Sequence, residues 1–191
     1  EQEYDVILEH SRYKDVNVES GDLKGATIRV FPMPEKLNLC EVRDGHEPGD
    51  GEALLTQDFA DMHDIRVGDT ISLGAYAYKV SAYTTKADYI YMLEKLSGYI
   101  DSEKFALAVV DCKEYDKIDA EETSYYSIKY NKDNSMEVRE KLNEDYVIAS
   151  YMAATTNTRI SMPVNEGDAV TNMATMYAPV MFIIIITLVV M

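Results

Sequence analysis

The chain has 191 residues and a formal net charge of −16 at pH 7, from 18 Lys and Arg against 34 Asp and Glu. This charge argues against nucleic acid as a partner, since binding to phosphates needs clustered Lys and Arg. It also argues against docking on the anionic cytoplasmic leaflet of a membrane, which repels acidic proteins. The length is sufficient for one sizeable core or for two small lobes.

The first half of the chain has the pattern of β-strands separated by turns. Four segments alternate or are apolar, and each ends at Gly, Pro or polar residues: 4–8, 26–31, 67–73 and 78–83. Residues 43–51 are dense in turn formers and predict a loop. A short helix is predicted over residues 57–63, where Thr56 or Asp58 can cap the exposed N–H groups.

The second half begins with a buried strand, which the almost continuous apolar run of residues 105–110 predicts. A unit of strand, helix and strand follows: residues 125–130, 133–143 and 146–151. Its helix places Val138 and Leu142 on one side. The crossover is expected to be right-handed if the two strands are parallel neighbours.

The last fourteen residues, 178–191 (APVMFIIIITLVVM), are apolar, and no charged residue occurs over residues 169–191. As a helix this run would rise about 21 Å, which is less than the ~30 Å hydrocarbon core of a bilayer. We interpret it as a transmembrane helix that is cut off partway. The chain would then be a piece of a longer membrane protein, because it starts at Glu1, without an initiator Met and without the pattern of a signal peptide. A buried C-terminal helix is the alternative, but the helix of a soluble protein normally has a polar side, and Thr187 is the one polar residue of this run.

The residues before this run indicate the side of the membrane. Cytoplasmic flanks of membrane helices are rich in Lys and Arg, whereas this flank contains Glu166 and Asp168 and its nearest base is Arg159. We therefore expect the globular part to lie outside the cytoplasm. Residues 165–191 are predicted to form one helix that enters the membrane, with a kink or a fresh helix start at Pro179.

Three pieces of sequence follow one another in the middle of the chain: Gly45 with Pro48, then residues 52–56 (EALLT), then, after the short helix, residues 65–73 (IRVGDTISL). This succession resembles the extracytoplasmic core of FtsX-like and MacB-type ABC transporter permeases. Residues 78–83 (YKVSAY) correspond to the next strand of that family, with Ala82 in place of the usual glycine.

The resemblance implies an α+β fold with two lobes. A membrane-proximal strand–helix–strand lobe would consist of residues 1–22 and 120–165, and a β-rich lobe of residues 24–118 would be inserted into it. A helix over residues 166–191 would then lead into the membrane. The polar residues 11–22 depart from the family, in which many relatives have a helix there. Such domains lie between the first two membrane helices of a permease subunit, which dimerises and pairs with a cytoplasmic ATPase.

No pattern indicates a catalytic residue, a bound cofactor or a metal site. The loop of residues 44–52 contains four carboxylates, but it lacks the ligand alternation and final Glu of an EF-hand, which favours a solvated turn over a calcium site. The histidines are scattered and form no zinc pattern: His10, His46 and His63. No nucleotide-binding loop and no nucleophile motif occurs.

The two cysteines, Cys40 and Cys112, have no paired spacing. A disulfide between them is possible in an oxidising compartment, but a domain of this size does not need one, and we favour two free, partly buried thiols.

We therefore predict the extracytoplasmic domain of an FtsX-like ABC transporter permease in the cell membrane, without enzymatic activity. It would couple cytoplasmic ATP hydrolysis to ligand or partner binding, extrusion or mechanotransmission outside. The expected partners are the ATPase, a second permease subunit, the membrane, and a lipid, peptide or protein ligand, but no nucleic acid. The alternative is a membrane-tethered extracellular binding or sensor domain that belongs to no transporter.

The predicted strands place six apolar side chains in one buried cluster: Val67, Ile71, Leu73, Val80, Leu107 and Val109. Phe59 and Met62 are expected to cover one side of it. Gly68 is expected to supply the backbone freedom for the turn into a strand.

Overall fold

The computed structural model describes residues 5–19, 21–96, 98–130 and 135–145. Within them the chain forms eight strands: β1 (Val6–Asn17), β2 (Thr27–Pro32), β3 (Cys40–Arg43), β4 (Glu52–Thr56), β5 (Thr70–Leu73), β6 (Tyr76–Lys86), β7 (Phe105–Val110) and β8 (Glu122–Tyr130). The helices of these residues are α1 (Gln57–Met62), α2 (Cys112–Lys117) and α3 (Ser135–Asp145). The chain is therefore a mixed α/β protein that is rich in strands.

The eight strands belong to one curled sheet with the order β3-β6-β4-β7-β2-β1-β8, and β5 pairs with the first part of β6. Two pairs are parallel, β2 with β7 and β4 with β6, and the other pairs are antiparallel. The sheet thus combines strands that are close in sequence with strands that are far apart.

Strand β7 shows why the centre of the sheet is covered on both faces. All six of its residues are buried, as its continuous apolar run predicts. Ala106, Ala108 and Val110 belong to one hydrophobic cluster, and Leu107 and Val109 belong to a second. Because successive side chains of a strand point to opposite faces, these two clusters are the two sides of the sheet.

The predicted single cluster is therefore wrong in its membership. Three of its members, Ile71, Leu73 and Val80, are buried in the first cluster together with the expected cover Phe59. Leu107 and Val109 lie on the opposite side of the sheet. Val67 and Met62 are 38% and 60% exposed, since Val67 lies in the turn before β5 and Met62 ends α1 on its outer side.

Strand β1 extends far beyond the predicted segment of residues 4–8. It pairs with β8 from Val6 to Lys14 and with β2 from Lys14 to Asn17. Its polar second half is stabilised by partners on neighbouring elements, since Arg12 bonds Asp116 at 3.1 Å and the Lys14 ammonium donates to the Ile118 carbonyl at 2.7 Å. Such partners come from tertiary structure, and the apolar pattern of the sequence does not report them.

The helices are close to the predicted ones in two cases. Helix α1 begins after Thr56 as expected, but the Thr56 side chain makes no cap. Helix α3 ends two residues later than predicted and buries Val138. Helix α2 was not predicted, and it begins where the Asp111 carboxylate accepts the Lys113 N–H at 2.9 Å.

The remaining sequence predictions concern residues outside the described ranges, namely the strand over residues 146–151 and the helix over residues 165–191. Within the described ranges, no helix is long and apolar enough to cross a membrane. The division of the chain into a proximal and an inserted lobe stays a prediction.

Candidate functional site

The loop between β3 and β4, residues 44–51, packs its backbone directly on β6. A Cβ atom on Gly45 would lie 2.0 Å from the Ser81 carbonyl oxygen, so this position admits glycine alone without a backbone shift. The His46 N–H donates to the same oxygen at 3.3 Å, and the Lys79 N–H donates to the Gly51 carbonyl at 2.9 Å. The glycine of the first motif piece therefore has a packing role.

The third motif piece forms the turn into β5. Gly68 has a φ of +103°, a conformation that residues with a Cβ rarely adopt, so the prediction for Gly68 is confirmed. Two backbone hydrogen bonds of 2.8 Å connect the turn to β6, from the Gly68 N–H to Val80 and from the Val80 N–H to Asp69. The Asp69 carboxylate also accepts the Arg66 N–H at 2.8 Å.

The acidic loop of residues 44–52 is organised by its own backbone. The Glu52 carboxylate accepts the Gly49 N–H at 3.1 Å, and it lies 3.6 Å from His46 Nδ1. Among the residues that the structure describes, no group of three or more His, Cys, Asp or Glu side chains is placed to hold a metal ion. His63 is remote from this loop and contacts the Glu103 carbonyl through Nε2 at 2.8 Å.

A buried polar cluster lies on the second face of the sheet, at the end of β6. The Lys86 ammonium lies 2.5 Å from the Asp88 carboxylate, and the Tyr125 hydroxyl donates to the other oxygen of Asp88 at 3.0 Å. Lys86 Nζ is also 4.7 Å from the centre of the Phe31 ring. Burial and the nearby Asp88 charge hold the pKa of Tyr125 well above its ordinary value.

A second buried cation, Arg29, lies on β2 near this cluster. Its guanidinium forms a two-pronged ion pair with Asp15, with both N–O distances 2.7 Å, and donates to the Tyr89 hydroxyl at 2.8 Å. The same guanidinium lies 4.1 Å from the centre of the Tyr13 ring. Burial by itself would lower the pKa of Arg29, but the bonds to Asp15 and Tyr89 outweigh burial and raise it.

Sequence reasoning missed both clusters, although each left a signal. Arg29 is a charged residue inside an otherwise apolar strand, and Lys86 and Asp88 have the i, i+2 spacing that places two side chains on one side of an extended chain. Their partners Asp15 and Tyr125 come from distant segments, which no local pattern identifies.

The two cysteines are free thiols in this structure, Cys40 half-buried and Cys112 exposed. Burial raises the pKa of the Cys40 thiol to about 11, although the nearby Lys86 opposes the change. Burial, followed by the charge of Asp111, also raises the pKa of Cys112. Both are therefore mainly protonated at neutral pH, which is unfavourable for a nucleophile.

A cavity of about 300 Å³ lies between the first part of β1 and residues 33–37, which leave β2 towards β3 and are called the strap here. The cavity wall consists of Leu8–Arg12, Phe31–Lys36, Lys86 and Cys112. It therefore contains both apolar side chains, of leucine, proline, methionine and phenylalanine, and charged side chains. The Glu9 carboxylate holds the strap by accepting three successive backbone N–H groups, of Glu35 at 2.8 Å, of Lys36 at 3.1 Å and of Leu37.

The described residues thus form a mixed α/β protein with a curled sheet, a buried Lys86–Asp88 ion pair, a buried Arg29 that is paired with the partly exposed Asp15, and a cavity beside the strap. No protein-family model and no curated protein matches the chain. A solved structure of a candidate lipoprotein from Bacillus anthracis is similar over 72% of this chain and 77% of its own length, with 10% identity and a TM-score of 0.37. A likeness at this level carries no argument about function.

Proposed function

We propose that this chain is the extracytoplasmic domain of an FtsX-like ABC transporter permease subunit. The observation that carries the proposal is the packing of the three motif pieces around β6. The backbone of the loop with Gly45 lies against the backbone of β6, and β4 (Glu52–Thr56) pairs with β6 in parallel. The Gly68 turn leads into β5, which pairs with the first part of β6. The pieces that carry the resemblance therefore form one packed unit.

The proposal assigns residues 1–22 and 120–165 to a membrane-proximal lobe and residues 24–118 to an inserted β-rich lobe. Its support is the antiparallel pairing of β1 with β8, which joins nine residues of the first described strand to the last one. Residues 166–191 would connect this lobe to the membrane through a helix. The arrangement would place the two ends of the domain near one another, as an insertion between two membrane helices requires.

The function we propose is mechanical coupling without enzymatic activity. A displacement of β8 can reach the rest of the sheet only if the strands are tied together across the domain. The bonds of Tyr125 with Asp88 and of Asn38 with Ser127, at 3.0 and 2.8 Å, are ties of this kind between β8 and distant segments. ATP hydrolysis by a cytoplasmic partner would then bias a two-state element outside the membrane.

The partners in this proposal are the cytoplasmic ATPase, a second permease subunit and the membrane, with a lipid, peptide or protein ligand outside. The test is purification of the tagged full-length gene product from its own membranes. An ATPase with a Walker motif should co-purify in a fixed ratio to a permease dimer. A full-length protein that has a single membrane helix and co-purifies with no ATPase would overturn the proposal and support the sensor alternative.

The side of the membrane can be tested independently with Cys112, because its thiol is exposed whereas Cys40 is half-buried. In a full-length variant whose cysteines are Cys40 and Cys112 alone, a membrane-impermeant maleimide should label the protein in intact cells, and Cys112→Ser should abolish most of the labelling. Labelling of Cys112 that occurs only after the cells are broken would place the domain in the cytoplasm and contradict the proposal.

A further inference from the structure

We propose that the cavity beneath the strap binds a small carboxylate with an apolar substituent, and that Glu9 occupies the carboxylate position in the unliganded protein. The proposal concerns the residues of β1 and the strap alone, and it holds whether or not the domain belongs to a transporter. It rests on the backbone geometry around Glu9, on the composition of the cavity wall and on the way β2 leaves β1.

The strap presents an anion-binding arrangement of backbone groups. Three consecutive N–H groups, of Glu35, Lys36 and Leu37, converge on the two oxygens of one carboxylate. Successive N–H groups that point to one spot form a concave site for anions, and bonds from N–H groups to an ionised carboxylate are stronger than neutral ones. The Glu9 side chain shows that this site accepts a carboxylate.

The cavity beside this site has room for a ligand. Its volume of about 300 Å³ lies at the lower end of the roughly 300–1,000 Å³ range of small-molecule sites. Leu8, Phe31 and Met33 supply apolar wall next to the N–H groups. A ligand that satisfies both features carries a carboxylate and a short apolar substituent.

The charges in the cavity wall favour the backbone N–H groups of the strap as the groups that would donate hydrogen bonds to a bound anion. Two cations of the wall already have carboxylate partners, since Arg12 is paired with Asp116 and Glu122, and Lys86 with Asp88. The third cation of the wall, Lys36, belongs to the strap itself. The three N–H groups of the strap, by contrast, have a partner that a ligand can replace, because Glu9 lies at the cavity wall and is partly exposed.

The sequence explains why a cavity exists at this position. β1 pairs with β2 only from Lys14 to Asn17, and β2 ends at Pro32. The last residue of β2 that pairs with β1 is Val30, and Pro32 has no backbone N–H with which to extend this ladder, so the chain diverges from β1 after Val30 and continues as the strap. The space between β1 and the departing strap is the cavity.

The test is a titration of the 191-residue chain in detergent micelles with N-acetylleucine, followed by the backbone amide signals of Glu35, Lys36 and Leu37 in proton–nitrogen spectra. In wild type, binding must displace an intramolecular carboxylate that is present at a high effective concentration. Glu9→Ala removes this competitor, and we expect it to bind N-acetylleucine at least about tenfold more tightly than wild type. The uncharged N-acetylleucine amide should not shift the three signals.

The matched control is Glu35→Gln. It removes one negative charge from the same cavity wall but leaves the Glu9 carboxylate in place, so its affinity should stay near that of wild type. If Glu9→Ala does not fold, Glu9→Gln, which keeps the side-chain size and removes the charge, is used in its place.

Three results would overturn the proposal. The first is no shift of the three signals in either Glu9 variant up to the solubility limit of N-acetylleucine. The second is an equal gain in affinity for Glu35→Gln, which would indicate a general charge effect. The third is equally tight binding of inorganic phosphate, which would indicate a site for simple anions without a role for the apolar wall.

Discussion

Lys86 and Asp88 form an ion pair with an Nζ–Oδ1 distance of 2.5 Å, and only 3% and 8% of the two side chains are exposed. Tyr125 completes the set by donating its hydroxyl to the second oxygen of Asp88 at 3.0 Å. The pair joins the end of β6 to β8, which lies at the other side of the sheet order. Buried charges of this kind are tolerated because each has a partner of opposite charge.

Replacement of one member should therefore be costly. In Asp88→Asn the Lys86 ammonium loses its counter-charge inside the protein, and we expect the free energy of unfolding to fall by about 3–5 kcal/mol. Urea unfolding followed by circular dichroism measures this change. The double variant Lys86→Met with Asp88→Asn removes both charges and should be more stable than Asp88→Asn alone. A double variant that is less stable than the single one would contradict the assignment.

The close approach of the motif loop to β6 makes a second prediction. A methyl group at Gly45 would overlap the Ser81 carbonyl oxygen, so Gly45→Ala should destabilise the fold by about 1–3 kcal/mol through overpacking. Gly49→Ala in the same loop is the control, since its Cβ would meet only the Glu52 carboxylate at 3.4 Å. Thermal unfolding of both variants should show a clear decrease for the first and little change for the second. Equal melting temperatures would show that the loop does not press on β6.

The Thr56 hydroxyl provides a third prediction. It accepts the buried N–H of Leu107 at 3.2 Å, next to the last described ladder pair of β4 with β7. Thr56→Val would leave this N–H without a partner at a cost of about 1–3 kcal/mol, whereas Thr56→Ser keeps the hydroxyl. Hydrogen exchange of the Leu107 amide should become faster in Thr56→Val only. An unchanged exchange rate would mean that the hydroxyl does not protect this group.

The raised pKa of Cys40 makes the stability depend on alkaline pH. Burial raises the pKa of this thiol from 9.0 to about 11, so the folded state holds its proton more tightly than the unfolded state does. The stability from the neutral thiol is complete below pH 9 and is lost as the pH rises towards 11. Urea unfolding across this window should show a steeper loss for wild type than for Cys40→Ala. Parallel curves for the two proteins would contradict the burial of Cys40.

Local patterns predicted those elements whose residues carry the whole signal. Strand β7 (Phe105–Val110) was predicted to the residue, because a strand covered on both faces needs apolar side chains at every position. The turn with Gly68 was also predicted, because a positive φ selects glycine. Helix α1 (Gln57–Met62) followed from its polar start and its apolar pair, within one residue of the observed end.

The errors have a common cause, which is that the deciding partner lies far away in sequence. The second half of β1 has the polar composition of a loop. Its side chains Arg12 and Lys14 are stabilised by α2 and the residues after it, about a hundred positions later, and the local sequence does not show these partners. Helix α2 (Cys112–Lys117) is too short to show a helical period, and the burial of Tyr115 against the sheet stabilises it.

The sequence by itself determined the strand-rich class, the motif turns, the acidic charge and the absence of a recognised catalytic pattern, because these depend on residue type and local spacing. Only the tertiary structure decided which face each apolar residue covers, which cations are buried, and where a cavity opens. The site around Glu9 shows the reason: its carboxylate meets N–H groups 26 to 28 positions away, and backbone N–H groups leave no trace in the side-chain pattern of a sequence.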